Sequence, residues 1–90
     1  MINNNSKYKT IGQVAEVLNL IDKNGKKLTY ILRFWEKEFK QIKPKIFTGN
    51  RRYYDDQTIQ ILKNIKYLLK DKGMTINGVK KLLNSKDYNV

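Results

Sequence analysis

The sequence predicts a mainly α fold of about four helices with one small two-stranded β hairpin. Two features point to it. Apolar residues recur at intervals of three and four over four separate stretches, the spacing that lines one face of a helix. Between the second and third of these stands Pro44, the only proline, which stops a helix running through the segment before it. After it come a short apolar pair, Ile46-Phe47, a turn at Thr48-Gly49-Asn50, and then Arg51-Arg52-Tyr53-Tyr54. That order reads as a hairpin with arginines beside its tip.

Taken in order, Met1 to Lys7 is polar and asparagine-rich and is expected to fray. Thr10 is a good N-cap, and Gln13 three residues on can complete a capping box. Ile11, Val14, Ala15 and Leu18 follow at helical spacing, so a first helix runs from Ile11 to Leu18 or Asn19. Small Gly12 and Ala15 permit close approach of a second helix. Leu20 to Lys27 is a loop, with Asp22, Asn24 and Gly25 as turn formers. Its lysines, Lys23, Lys26 and Lys27, either touch a nucleic-acid backbone or are simply solvated.

The second helix is expected from about Thr29 to Lys40. Leu28, Leu32, Trp35 and Phe39 form its apolar stripe, while Thr29, Tyr30, Arg33, Phe34 and Lys37 fall mostly on the other face. Phe34 breaks the stripe, and either contacts a partner or is partly covered by the hairpin. Asp55 or Asp56 caps a third helix from about Gln57 to Lys70, with Ile61, Leu62, Ile65, Leu68 and Leu69 inward, and Gly73 ends it. Thr75 opens a fourth helix through Ile76, Val79, Leu82 and Leu83, and Ser85 to Val90 is a polar tail. One domain over residues 8–84 results.

Composition narrows the chemistry. Ninety residues support a single modest core. There is no cysteine and no histidine, so thiolate chemistry, the usual general base and the commonest metal ligand are missing. The close acid pairs, Glu36/Glu38 and Asp55/Asp56, suit opposite helix sides and a helix start. An enzyme, a metal and a cofactor are therefore not expected. The net charge of +11 points to a polyanion, nucleic acid before an anionic membrane surface. No apolar run approaches the ~20 residues of a membrane helix, and Met1 to Lys9 lacks a signal-peptide core. A cytoplasmic bacterial protein fits.

Arginine is sharply localised. Against sixteen lysines there are three arginines, Arg33, Arg51 and Arg52, all between Leu28 and Tyr54. A guanidinium grips phosphate or a base edge through two parallel hydrogen bonds, which an ammonium cannot do. The competing explanation is a set of ordinary surface ion pairs.

The ordered set of a short helix, a turn, Arg33-Phe34-Trp35-Glu36 in a helix, a proline, a basic hairpin ending in Arg51-Arg52-Tyr53-Tyr54, an acid-capped helix and a threonine-initiated helix resembles the winged helix-turn-helix domain of the MerR family of bacterial transcription regulators. The resemblance covers about Tyr8 to Leu83. It implies sequence-specific binding of double-stranded DNA at promoters, distortion of that DNA, and RNA polymerase as a further partner. It also implies that the second helix is the recognition helix, contributing Thr29, Tyr30, Arg33, Phe34 and Lys37. Lys43, Lys45, Asn50, Arg51, Arg52 and Tyr54 on and before the wing, and Thr10 at the first helix, complete the candidate DNA-contact residues. Arg52 and Tyr54 match the wing's arginine and second tyrosine.

The departures are a longer first loop, Arg51 in place of the first wing tyrosine, and Asn50 in place of a wing glycine. Asparagine tolerates the same left-handed backbone. The family's long dimerising helix does not follow within these 90 residues. The chain is therefore expected to be mainly monomeric when free, pairing on DNA or in a longer parent chain. Metal sensing, which uses cysteines in the family, does not carry over. Two alternatives remain: an excisionase-like architectural protein that bends DNA, and a basic module that binds RNA or an acidic protein.

Overall fold

A computed structural model describes residues 7–85. The frayed start and the polar tail expected from the sequence lie almost wholly outside these residues. Lys7, at the edge of the described part, has its ammonium 5.5 Å from the Tyr8 ring centroid.

Strand β1 (Tyr8–Thr10) runs directly into helix α1 (Ile11–Val17). The junction is a capping box. Thr10 Oγ1 accepts from the Gln13 amide at 3.2 Å, and Gln13 Oε1 accepts from the Thr10 amide at 2.8 Å. Two of the helix's free amides are thereby satisfied within four residues. Asn19 takes a left-handed φ of 57°, and the Leu20 amide turns back to Ala15 O at 2.8 Å, which closes the helix.

The loop that follows is ordered. Asp22 Oδ1 accepts the amides of Asn24 and Lys26 at 2.8 and 2.9 Å, and Ile21 bridges Lys27. One short carboxylate thus folds the loop into a miniature hairpin. It delivers the chain to helix α2 (Thr29–Glu38). This helix stops two residues before the expected Lys40, because Phe39 leaves helical geometry (φ −118°, ψ 108°) and turns its ring into the core at 1 % exposure.

Strands β2 (Lys45–Phe47) and β3 (Arg51–Asp55) form the hairpin, joined by a tight turn over Thr48–Asn50. The sheet has three strands rather than the two expected from the sequence. Its order is β1-β3-β2, antiparallel throughout, with Tyr8 opposite Asp55, Thr10 opposite Tyr53, and Phe47 opposite Arg51. β1 is three residues long and pairs far along the chain, so it offers no run of alternation long enough to read.

Asp55 caps helix α3 (Asp56–Lys66), accepting the Thr58 amide at 2.9 Å. The expected long helix ends in a wide π turn over Tyr67–Asp71, and Gly73 follows at φ 69°. Thr75 caps helix α4 (Ile76–Leu83) by accepting from the Gly78 amide at 3.0 Å. The far end of α4 is tied back to the chain after α2. Gln41 Nε2 donates to Leu83 O at 3.3 Å and to Asn84 Oδ1 at 2.6 Å, and Lys80 reaches Glu38 at 3.4 Å.

These elements meet on one core, built from Val14 and Ala15 of α1, Leu32 and Trp35 of α2, Tyr54 of β3, Leu62 and Ile65 of α3, and Val79 of α4, with Phe39 and Ile42 beyond α2. The apolar stripe of α2 is therefore inward, as its spacing predicts. Its other face is left outside, beside the hairpin.

Candidate nucleic-acid interface

Ten residues of helix place Arg33 one turn after Thr29 and one turn before Lys37. Thr29 Oγ1 accepts from Arg33 Nη1 at 3.3 Å, which steadies the guanidinium at the helix surface. Tyr30 and Phe34 flank it and are 61 % and 48 % exposed. Phe34, for which the sequence left two positions open, is thus about half exposed. Lys37 is exposed on the same helix.

The hairpin stands next to this face. Gly49 (φ 81°) and Asn50 (φ 59°) make its tip. Two consecutive left-handed residues suit glycine and asparagine and disfavour branched side chains. The turn sets Arg51 and Arg52 at the start of β3. Between hairpin, α1 and α2 lies an open cleft of about 270 Å³, lined by Thr10, Ile11, Arg33, Asn50, Arg51 and Arg52. Three arginines and no acidic residue line it, so it is an anion-attracting surface.

The cleft gathers Thr10, Arg33, Asn50, Arg51 and Arg52 of the sequence candidates. Thr29, Tyr30, Phe34 and Lys37 extend the surface along α2, and Lys43 and Lys45 are exposed on the approach to the hairpin. Tyr54 is placed differently. It is fully buried, and among the described residues its buried hydroxyl has no hydrogen-bond partner. Burial pushes its phenol up to about 12, with the Glu36 charge adding to the rise and Arg52 and Arg33 opposing it. It contributes to the core and has no surface to offer a duplex. Alternation decides this: Tyr54 and Arg52 share the inner face of β3, where the sequence alone does not say which face is inner.

Arg52 is also more constrained than its sequence suggests. Its Nε donates to Glu36 Oε1 at 2.7 Å across the gap between β3 and α2. Glu36 is not among the candidate contact residues, although it closes the Arg33-Phe34-Trp35-Glu36 run that carries the family resemblance and stands three residues after Arg33, near one face. A second missed feature is aromatic. Phe47 meets Tyr8 edge to face and Tyr53 at a tilt, with centroids 5.5 and 5.1 Å apart, so three aromatics join the three strands of the small sheet.

A family model described as MerR HTH family regulatory protein matches residues 9–86. The chain belongs to the MerR HTH family. As a MerR-family domain it is a DNA-binding module of transcription regulation. The match spans every element that lines the cleft, from the cap of α1 to the sheet, together with α3 and α4 that support them. No curated protein and no solved structure matches the chain. Among the described residues no cluster of acidic side chains could hold a metal ion, and no helix is long and apolar enough to cross a membrane.

Proposed function

We propose that this MerR-family domain binds double-stranded DNA sequence-specifically, with α2 in the major groove and the hairpin acting as a wing on the flanking backbone. The observation that supports it is the convergence of Arg33 from α2 with Arg51 and Arg52 from the hairpin on one cleft. A helix is the right width for a major groove, and base edges there are read by side chains such as Arg33. Tyr30 and Phe34 suit apolar contacts with thymine methyls or sugars. The wing residues and the surrounding lysines fit phosphate contacts, which position without reading sequence.

In this proposal the domain acts at promoters, distorting the duplex so that RNA polymerase can use it. Two copies sit on two half-sites, held together in a longer parent chain or by the DNA itself. The 90-residue chain alone is mainly monomeric. A single module buries about 600–1,000 Å² on DNA, so its affinity is modest and falls steeply with salt.

Selection of bound duplexes from a random pool is the test. A palindromic consensus, with binding that weakens as salt rises, is the expected result. Recovery of no consensus, or equal binding to single-stranded RNA, refutes the proposal.

A further inference from the structure

Arg33 and Glu36 stand three residues apart on α2, and so share a face. Arg33 lines the cleft, with its Nη1 donating to Thr29 Oγ1. Glu36 instead holds the guanidinium of Arg52, a residue of the neighbouring strand, at 2.7 Å. Only the Nε of Arg52 is engaged there. Among the described residues its two terminal nitrogens have no hydrogen-bond partner, and Arg52 still lines the cleft.

The two side chains are 34 % and 26 % exposed and meet at 2.7 Å, a part-buried contact that ties β3 to α2. A carboxylate beside a cleft meant for a polyanion also carries an electrostatic penalty for binding. Its compensation is orientation. A free arginine on a strand surface samples many rotamers and loses that freedom when it grips a ligand. An arginine already fixed at Nε loses less, and presents its remaining edge in one direction.

We propose that Glu36 is a positioning residue for DNA recognition: it fixes Arg52 so that the terminal guanidinium nitrogens face the cleft beside Arg33. The recognition helix thereby commands two guanidiniums, its own and one taken from the wing, and the wing is latched at a set distance from α2. This rests on the proposed DNA binding and specifies which acidic side chain it depends on.

The sign of one substitution decides it. Electrostatics alone makes Glu36→Ala bind a polyanion more tightly, because a negative charge is removed. Positioning makes it bind the selected duplex more weakly, by about tenfold, the scale of one charge-assisted hydrogen bond. Glu16→Ala, which breaks the exposed pair with Lys27, supplies the charge control and should not weaken binding. In an Arg52→Ala background Glu36→Ala should cause no further loss. Should Glu36→Ala fail to fold, Glu36→Gln keeps the acceptor oxygen, and NMR of the Arg52 Nε–H in the parent reads the contact directly. That proton should remain hydrogen-bonded in the free protein and on DNA.

Unchanged or tighter specific binding by Glu36→Ala overturns the inference. So does an equal loss in the Arg52→Ala background, or loss of the Nε–H bond when DNA binds. If the parent itself shows no preference for any duplex, the proposed function fails first and takes this inference with it; a discriminating parent with indifferent variants refutes the inference alone.

Discussion

Replacing Trp35 with alanine removes the largest side chain of α2 from the centre of the domain. Trp35 is 3 % exposed and lies among Leu32, Phe39 and the buried residues of α1 and α3. A tryptophan buries about 150–250 Å², which at ~25 cal/mol per Å² amounts to roughly 4–6 kcal/mol before relaxation. Large-to-alanine core changes cost about 3–5 kcal/mol. Native domains are stable by about 5–15 kcal/mol in total, so the change removes a large share of that. In a chain of this size each kcal/mol lowers Tm by about 4–8 °C, so a fall of about 12–40 °C is expected. Circular dichroism melts of parent and variant measure it. Trp35 is the only tryptophan, so parent fluorescence should also be that of a buried indole and shift to the red on unfolding. A variant that melts within about 3 °C of the parent but binds DNA poorly would refute the core assignment, and would place Trp35 at the contact surface.

Three further outcomes follow from the geometry. Arg33→Lys keeps the charge but removes the two-pronged grip, and should weaken specific binding in gel-shift titrations by roughly tenfold, while Lys63→Ala on α3 leaves it near parental. Asp55→Ala removes the cap of α3 and should cost about 1 kcal/mol at neutral pH. The Thr58 amide and hydroxyl hold the Asp55 carboxyl below its usual value, so this contribution is present above about pH 4 and disappears as pH falls through the folded value; melts at two pH values should show parent and variant converging in acid. Tyr54, pushed up to about 12, favours the neutral phenol in the fold. Its contribution is complete below about pH 10 and lost as pH rises from there toward 12. Spectrophotometric titration should show a late phenol that Tyr54→Phe abolishes.

Much of this fold was readable because it rests on local rules. The capping box of Thr10 and Gln13, the threonine cap of α4, the inward stripe of α2 and the glycine-asparagine hairpin tip all involve residues within a few positions of each other. The basic character of the cleft was equally legible, since all three arginines sit in one stretch. What escaped involves partners distant in sequence. β1 is too short to announce itself and is defined by its pairing with β3. The assignment of Tyr54 to the core, and of Arg52 to Glu36, depends on which face of β3 meets α2. A two-residue period gives the alternation but not its sense until the helix is docked. The π turn at Tyr67–Asp71 keeps helical spacing in its apolar residues, so periodicity alone reads it as ordinary helix.

The third strand changes what the hairpin is mechanically. A two-stranded flap attached only through its own ends could swing to meet duplexes of many shapes. Here β1 is hydrogen-bonded to β3 and continues without a break into α1, whose cap is Thr10 itself. The hairpin is thus braced from two sides, by the backbone of the chain's first strand and by Glu36 on α2. Its span to the helix is that of a fixed caliper. A caliper does not adjust to the object it measures: in the proposed complex a duplex of matching groove width would seat without strain, and one that does not match would have to be bent to fit. Under the proposed docking, and because the cost of bending DNA depends on its sequence, this bracing by three residues at the start of the sheet would let duplexes be told apart at positions that no side chain touches.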